Sequence, residues 1–548
     1  MPTPSSYRAP GVYVEWLDVN SQLLEPGRTD IAGFIGIAER GPAHCPQKIE
    51  SSRQFASTFG NPIAQGYLAY AVDGFFSNGG RTCWVVRAAD PLAALPARIR
   101  LSVGGRQPFV LEATSPGSWG NQIRVQSVWG RDQIELLTVT TGGAQSPSAA
   151  ATTSPPQSQT VYLGADGQPQ PEPSSMTLLG VPESSLPEFA TEQLVQAKAD
   201  DATLPLSPLG PSVPTALLSG GTDGVKTLKL EHFTGDPAST RPLGMDALAR
   251  IDGISFVAAP DLMFAADPSA ALEFSGFGPA TVRDAQIKLL TSCKQRRDRM
   301  LLIDLPCVRL PDALDAVGTS PALGSPLTRT SYGAVYYPWI IVDDPLQLTG
   351  SVRTIPPSGH VAGIFARADR LRGVHKPPAN EVLEGVWDLY EQIDDAAHAD
   401  LNDASINAIR ALPGRGVLVL GARTLDTDLR WRYINIRRLF AMIEESLEEQ
   451  LQWLTFEPNS PRLWKEIDRA VRGFLERLFR AGMLDGNSSD DAYYVRCDET
   501  TNPESDTDAG RVICQIGLQP PWPAEFVIVR IGVTRSGIEI EEKGAQDV

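Results

Sequence analysis

The sequence lacks a surplus of basic charge: 48 Lys and Arg stand against 65 Asp and Glu, a net charge of −17. A general nucleic-acid binder needs a basic surface to meet phosphate, so that class is set aside. No run approaches the ~20 apolar residues that cross a bilayer, and no membrane insertion is expected. The opening MPTPSSYRAPGVYVEW has no basic segment followed by an apolar one, so no secretory leader is read there. The six cysteines (Cys45, Cys83, Cys293, Cys307, Cys497, Cys514) include no CxxC pair. So dispersed, they read as reduced, mostly buried thiols of a cytosolic protein, not as a disulfide framework.

Motifs that carry chemistry are scarce. There is no GxxxxGK[ST] phosphate loop, no HExxH and no GxSxG. His44, His232, His360, His375 and His398 have no ligand spacing, so neither a metal nor a cofactor is expected. The glycine-rich SGGTDG (219–224) precedes TLKLEHF, whereas a nucleotide loop follows a strand and opens a helix. It reads as a turn at a domain junction. Asp261, Asp304, Asp343 and Asp344 fall near the C-terminal ends of predicted strands, where α/β enzymes place catalytic carboxylates. Capping the following turn is the plainer role. The acids Glu444, Glu445, Glu448 and Glu449 repeat at i, i+4 and read as a solvated or subunit-facing surface.

What is present is ample material for cores. The 548 residues are 42% hydrophobic and 21% charged, enough for three or four domains at roughly 150 residues each. Apolar runs at 31–38 (IAGFIGIA) and 83–88 (CWVVRA) read as strands buried on both faces. From 97 to 139 short alternating segments predict antiparallel strands. Residues 142–175 are 29 Gly, Ala, Ser, Thr, Pro or Gln out of 34, too little apolar content for a core, and read as an exposed loop. The α/β rhythm resumes after 220, with predicted strands at 254–261, 300–306 and 333–342. The fold class expected is a multi-domain α/β protein: a doubly wound α/β domain interrupted by a β-rich insertion.

Two long helices are predicted near 435–454 and 461–481, parted by FEPN. On the second, Trp464, Ile467, Val471, Phe474, Leu475 and Leu478 share one side, while Arg462, Lys465, Arg469, Arg472 and Arg480 lie near the opposite one. Glu466 and Glu476 are available as local ion-pair partners. At the ends of the chain, VYVEW (12–16) and EFVIVRIGVT (525–534) are β-prone segments outside the periodic domains, the latter running into a polar tail.

Several whole phrases are similar to the tail sheath proteins of contractile phage tails, R-type pyocins and phage-tail-like injection particles. They are APGVYVEW (9–16), IAGFIGIAERGP (31–42), FFSNGGRTCWVVR (75–87), SPGSWGN (115–121) and LSGGTDG (218–224). YYPWI (336–340), PPSGHVAGIFARAD (356–369) and RGVHKPPAN (372–380) follow in order. The longest are LNDASINAIRALPGRGVLVLGARTL (401–425), RYINIRRL (432–439), FEPNSPRLW (456–464) and PPWPAEFV (520–527). The stretch 142–220 has no counterpart in the resemblance.

The resemblance implies a structural, non-enzymatic subunit of a contractile sheath. Such subunits polymerise as helical hexameric rings around an inner tube protein and contract to drive the tube through a target envelope. Baseplate and tail terminator or cap proteins are the further partners implied. Assembly would be in the bacterial cytoplasm, and the product part of a phage tail or tail-like particle. The domains expected are an N-terminal arm (1–25), an α/β sheath domain (26–92 and 221–355), an inserted β-rich outer domain (93–220), a C-terminal α+β inner domain facing the tube (356–524), and a C-terminal arm (525–548). The arms would exchange strands with neighbouring subunits through Val12, Tyr13, Val14, Phe526, Val527, Ile528, Val529 and Ile531; the residues alone leave pairing within the chain equally open. Arg462, Lys465, Arg469 and Arg472 would meet the tube, against the alternative of a solvated face. An α/β enzyme with a C-terminal helical domain, or a non-contractile surface assembly protein, are the competing classes.

Overall fold

The computed structural model describes residues 24–103, 108–129, 134–141, 158–163, 169–170, 194–209, 215–236, 238–266, 277–318, 327–346, 351–525, 529–534 and 537–542. They form a mixed α/β protein of two compact units. The larger holds the described residues of 28–442 and 521–542; the smaller holds 24–27 and 443–520.

A nine-stranded sheet organises the larger unit. In chain order its strands are β1 (Ile31–Gly36), β2 (Gln47–Ile49), β3 (Thr82–Arg87), β4 (Phe256–Ala258), β5 (Met300–Asp304), β6 (Gly333–Tyr337), β7 (Glu381–Val382), β8 (Ile406–Leu412) and β9 (Gly416–Val419). Their spatial order is β2-β3-β1-β4-β5-β6-β8-β9-β7. Pairing is parallel from β3 through β8, with antiparallel strands at both edges. Strands buried on both faces need apolar side chains at every position. Phe34, Ile35, Val85, Val257, Leu301, Leu302 and Val335 meet that need, each at most 2% exposed. The sheet takes in β8 and β9, so its strands extend beyond residue 355.

Helices α1 (Leu68–Ser77), α2 (Pro279–Arg296) and α3 (Ser358–Arg372) belong to this unit. Helices α1 and α3 cross so closely that a Cβ at Gly359 would lie 2.3 Å from the Ala71 Cα. Only glycine permits that approach.

The run expected as one strand over 333–342 is two. Pro338 follows β6 and has no N–H for a ladder. Residues Ile340–Asp343 then pair in a separate three-stranded sheet with Val352–Ile355 and Asp388–Leu389.

Between β3 and β4 lies β structure of a different kind. One four-stranded sheet joins Arg98–Val103, Phe109–Ala113, Val195–Lys198 and Leu206–Leu209; a five-stranded sheet is built around Ile123–Trp129 and Ile134–Thr141. Ile99, Leu101, Phe109, Leu111, Trp119, Ile123 and Val125 form its own core. The reading of 142–175 as loop throughout is corrected here: Ser158–Leu163 is a strand paired with Ile134–Thr141. Thr160, Val161 and Tyr162 supply β-propensity inside a segment whose average composition conceals it.

In the smaller unit the helical readings hold with small shifts. Helix α4 (Ile434–Gln450), inside which the division between units falls, ends earlier than expected, and α5 spans Pro461–Arg480. Ser460 caps α5 by accepting from the Leu463 N–H, and Pro461 occupies the first turn. Leu463, Trp464, Ile467, Val471, Phe474, Leu475 and Leu478 are its buried row. Helix α5 packs on a two-stranded antiparallel sheet of β10 (Tyr493–Arg496) and β11 (Gln515–Leu518).

Beyond residue 525, the expected polar tail contains a strand. β12 (Val529–Thr534) and β13 (Gly537–Glu542) form an antiparallel hairpin, a two-stranded sheet by itself.

Candidate assembly surface

Along α5 the residues opposite the buried row are basic, and the structure separates them into two groups. Arg462, Lys465 and Arg469 are exposed. The Arg462 Nε donates to Glu466 at 3.1 Å; Lys465 and Arg469 have no ion pair among the described residues. Arg480 pairs with Glu476 at 2.8 Å. Arg472 differs from the rest: it pairs with Asp468 at 2.8 Å and donates to the Val495 carbonyl of β10. Its guanidinium therefore ties helix to sheet. A polar cleft of about 600 Å³ opens beside it, with Lys465, Arg472 and Arg496 facing Asp468, Asp490 and Asp498.

Of the expected arm residues, Val529 and Ile531 lie on β12, opposite Glu542 and Ile540 of the same chain. Val12, Tyr13, Val14, Phe526, Val527 and Ile528 fall outside the described residues. Where the chain becomes describable, the Glu25 N–H donates to Gln450 Oε1 at 2.6 Å and the Gly27 N–H to Ser446 Oγ at 2.9 Å. Residues 25–27 are thus held on the end of α4.

The acidic candidates near strand ends are engaged in structural bonds. Asp261 is buried and accepts from the Ile37 N–H at 2.5 Å and from the Tyr67 N–H. Asp304 accepts from Ser358 Oγ at 2.6 Å and from the Ser358 N–H at 3.1 Å, fixing the start of α3. Asp344 accepts from the Tyr70 hydroxyl, and Asp343 from the Trp387 indole. Burial pushes the Asp261 carboxyl up to about 6 and that of Asp304 up to about 7. Among the described residues no group of three His, Cys, Asp or Glu is placed to hold a metal. No described helix is long and apolar enough to cross a membrane.

Several of the phrases that carry the resemblance are joined to one another in the fold. SPGSWGN and LSGGTDG are stitched to each other: the Gly221 N–H donates to Asn121 Oδ1 at 2.8 Å, the Asn121 amide to the Gly221 carbonyl at 2.9 Å, and the Ser118 N–H to Asp223 at 2.8 Å. Arg87, at the end of β3 and 1% exposed, donates to the Gly41 carbonyl at 2.9 Å and the Pro116 carbonyl at 2.7 Å. Burial lowers its pKa to about 10. SGGTDG is therefore a junction between the inserted sheets and the α/β core.

Farther along, Arg438 of RYINIRRL makes a bidentate pair with Asp369 of FARAD at 2.5 and 2.9 Å, both side chains buried. Its second nitrogen also donates to the Thr29 carbonyl, and its plane lies over Phe256 and Phe365. Arg437 stacks on Tyr332 and Trp431. Arg423 pairs with Glu525 of PPWPAEFV. Sequence reasoning singled out these phrases without pairing them. The signal that was present is Arg438 itself, which falls four residues after Ile434 on a helix face that is otherwise apolar.

The fold is a mixed α/β protein with an inserted β region, segments joined by ion pairs and hydrogen bonds, and an exposed basic helix face. Known structures share it. The fold matches the anti-feeding prophage helical sheath in its contracted state with a TM-score of 0.54 over 97% of this chain and 100% of that one, at 22% identity. It matches the sheath of an extracellular contractile injection system, PVC, in its contracted state at 0.53 over 98% and 99%, with 20% identity. A sheath tail protein of Listeria innocua gives 0.54 over 91% and 97% at 13% identity.

Residues 327–425 match the central domain of phage tail sheath proteins and residues 426–534 the phage tail sheath C-terminal domain. It is 27% identical over 210 residues to the tail sheath protein of Salmonella phage ViI, and 25% over 201 residues to that of Enterobacteria phage T4. Those alignments cover 37% and 35% of this chain and span about a third of the phage relatives, 32% and 28% of their lengths.

Proposed function

We propose that this protein is the structural subunit of a contractile sheath, polymerising as helical hexameric rings around an inner tube. The observation that carries the proposal is the agreement of sheath folds with nearly the whole chain, 97% against the anti-feeding prophage sheath. Contraction would repack contacts between many identical copies, a two-state change repeated along the assembly. Work of that kind needs complementary surfaces and no substrate pocket.

Within this reading the chain divides as an arm (1–25), an α/β domain (26–92 and 221–355, its sheet completed by strands as far as Val419), an outer insertion (93–220), an inner domain drawn from the rest of 356–524 and a second arm (525–548). The arms complete sheets in neighbouring copies. Among the described residues no third strand pairs with the β12–β13 hairpin, which supports this, since an unpaired strand edge is a template for another strand. The tube is met by the face of α5 that carries Arg462, Lys465 and Arg469, and Arg472 adds to it only through its partly exposed edge. Baseplate and terminator proteins bind the two ends of the stack. The location is the cytoplasm during assembly, then a phage tail or tail-like particle.

Negative-stain microscopy of the purified full-length chain tests this. Striated tubes are expected; discrete small particles at every concentration would leave the proposal without support.

A further inference from the structure

Two of the six cysteines do not behave as isolated thiols. Strands β10 and β11 pair with Tyr493 opposite Leu518, Tyr494 opposite Gly517, Val495 opposite Ile516 and Arg496 opposite Gln515. The next rung sets Cys497 opposite Cys514. The Gln519 N–H donates to the Ala492 carbonyl at 2.9 Å, which makes that rung a hydrogen-bonded one. Rungs alternate along an antiparallel ladder, so Cys497 and Cys514 occupy a non-hydrogen-bonded rung, where side chains stand closest. The Cα separation of such a rung, about 4.5 Å, falls inside the range disulfides span, about 4.4–6.8 Å.

Asn502 holds the rung in place. Its side chain accepts from the Ile513 N–H at 2.6 Å, donates to the Ile513 carbonyl at 3.0 Å, and reaches the Cys497 sulfur at 3.9 Å. The two thiols are close enough to perturb each other's titration. Cys497 is 5% exposed, while Cys514 is half-buried and the more accessible of the two.

We propose that Cys497 and Cys514 are a disulfide-forming pair that closes the loop 498–513 when the protein meets a small-molecule disulfide such as oxidised glutathione. The Cys514 thiolate attacks one sulfur of glutathione disulfide, breaking its S–S bond and releasing one glutathione thiolate. The Cys497 thiolate then attacks the Cys514 sulfur of the mixed disulfide and releases the second. Two protein thiols are oxidised and one glutathione disulfide is reduced; the two protons that leave the cysteines are taken up by the released glutathione thiolates, which end as two thiols. The reaction starts slowly, because burial and the neighbouring thiol push Cys514 up to about 12 and only the thiolate attacks. Its rate should rise about tenfold per pH unit between pH 7 and 8. The closed bond would brace the sheet on which α5 packs. The ladder register carries this inference, so it stands or falls separately from the sheath reading.

The test incubates the full-length protein with oxidised glutathione, then quenches in acid and counts thiols under denaturing conditions. Non-reduced digests are mapped by mass spectrometry. The expected result is a linked pair of peptides carrying Cys497 and Cys514, with loss of those two thiols beyond any glutathione adduct on the exposed Cys45. Trypsin cleavage at Arg511, which lies inside the closed loop with an exposed side chain, should then yield fragments that separate only after reduction. In Cys497→Ser the same treatment should stop at a mixed disulfide on Cys514. Six remaining thiols in the wild-type protein, or a persistent Cys514–glutathione adduct with no crosslink, would overturn the proposal.

Discussion

Asp304 and Asp261 lie at the ends of buried strands with N–H and O–H donors for company and no ion pair among the described residues. In the unfolded chain each titrates near the ordinary value of about 3.9. In the fold burial raises them to about 7 and about 6. Across the interval from pH 4 to 7 the folded state therefore holds protons that the unfolded state has released. The free energy of unfolding should fall as pH rises through that window, by up to about 1.4 kcal/mol per pH unit for each group. Denaturant titrations at several pH values would show it, and Asp304→Asn should flatten the slope. An unchanged slope in the variant would mean that Asp304 is not a titrating group of the fold. The Arg438–Asp369 pair makes a second demand. Removing one member of a buried pair strands the other charge, so Asp369→Ala should cost about 3–5 kcal/mol in the same titration. Arg438→Lys keeps the charge but loses the fork. At this scale the sequence was only partly readable: the acids could be assigned to turns, but Ser358 stands 54 residues from Asp304 and no local pattern joins them.

Among the elements, α5 was the most legible. Its apolar row and basic face follow from 3.6-residue periodicity alone, and the buried residues are those the pattern marks plus Leu463. What periodicity cannot tell is that Arg472 bends back to the Val495 carbonyl. Charge reversal at Arg462, Lys465 and Arg469 should leave the unfolding midpoint nearly unchanged, within about 0.5 kcal/mol for exposed sites. It should abolish extended tubes filled by the inner tube, since weak contacts repeated in every copy sum as avidity. Arg472→Glu should instead lower stability. Normal yields of tube-filled particles from the triple variant would assign the face to solvent. The crossing of α1 and α3 was less legible, because a glycine in a helix says nothing of its neighbour. Gly359→Val forces the two helices apart and should destabilise by about 1–3 kcal/mol or more, readable as a shift in thermal midpoint. The strand Ser158–Leu163 was missed for a different reason: a composition averaged over 34 residues outweighs three β-prone ones.

For the molecule as a whole, the collinear phrases pointed to a sheath, and several of them are joined in the fold, as Arg438 with Asp369 and Arg423 with Glu525. The central claim is that many copies of this chain form a helical sheath. The direct measurement is a helical reconstruction by cryo-electron microscopy of the tubes formed with the inner tube protein. The account expects rings of six chains, α5 on the luminal side with Lys465 and Arg469 toward the tube, and the β12–β13 hairpin paired with a strand of another copy. A tube with α5 on its outer surface and every terminal strand paired within its own chain would contradict it.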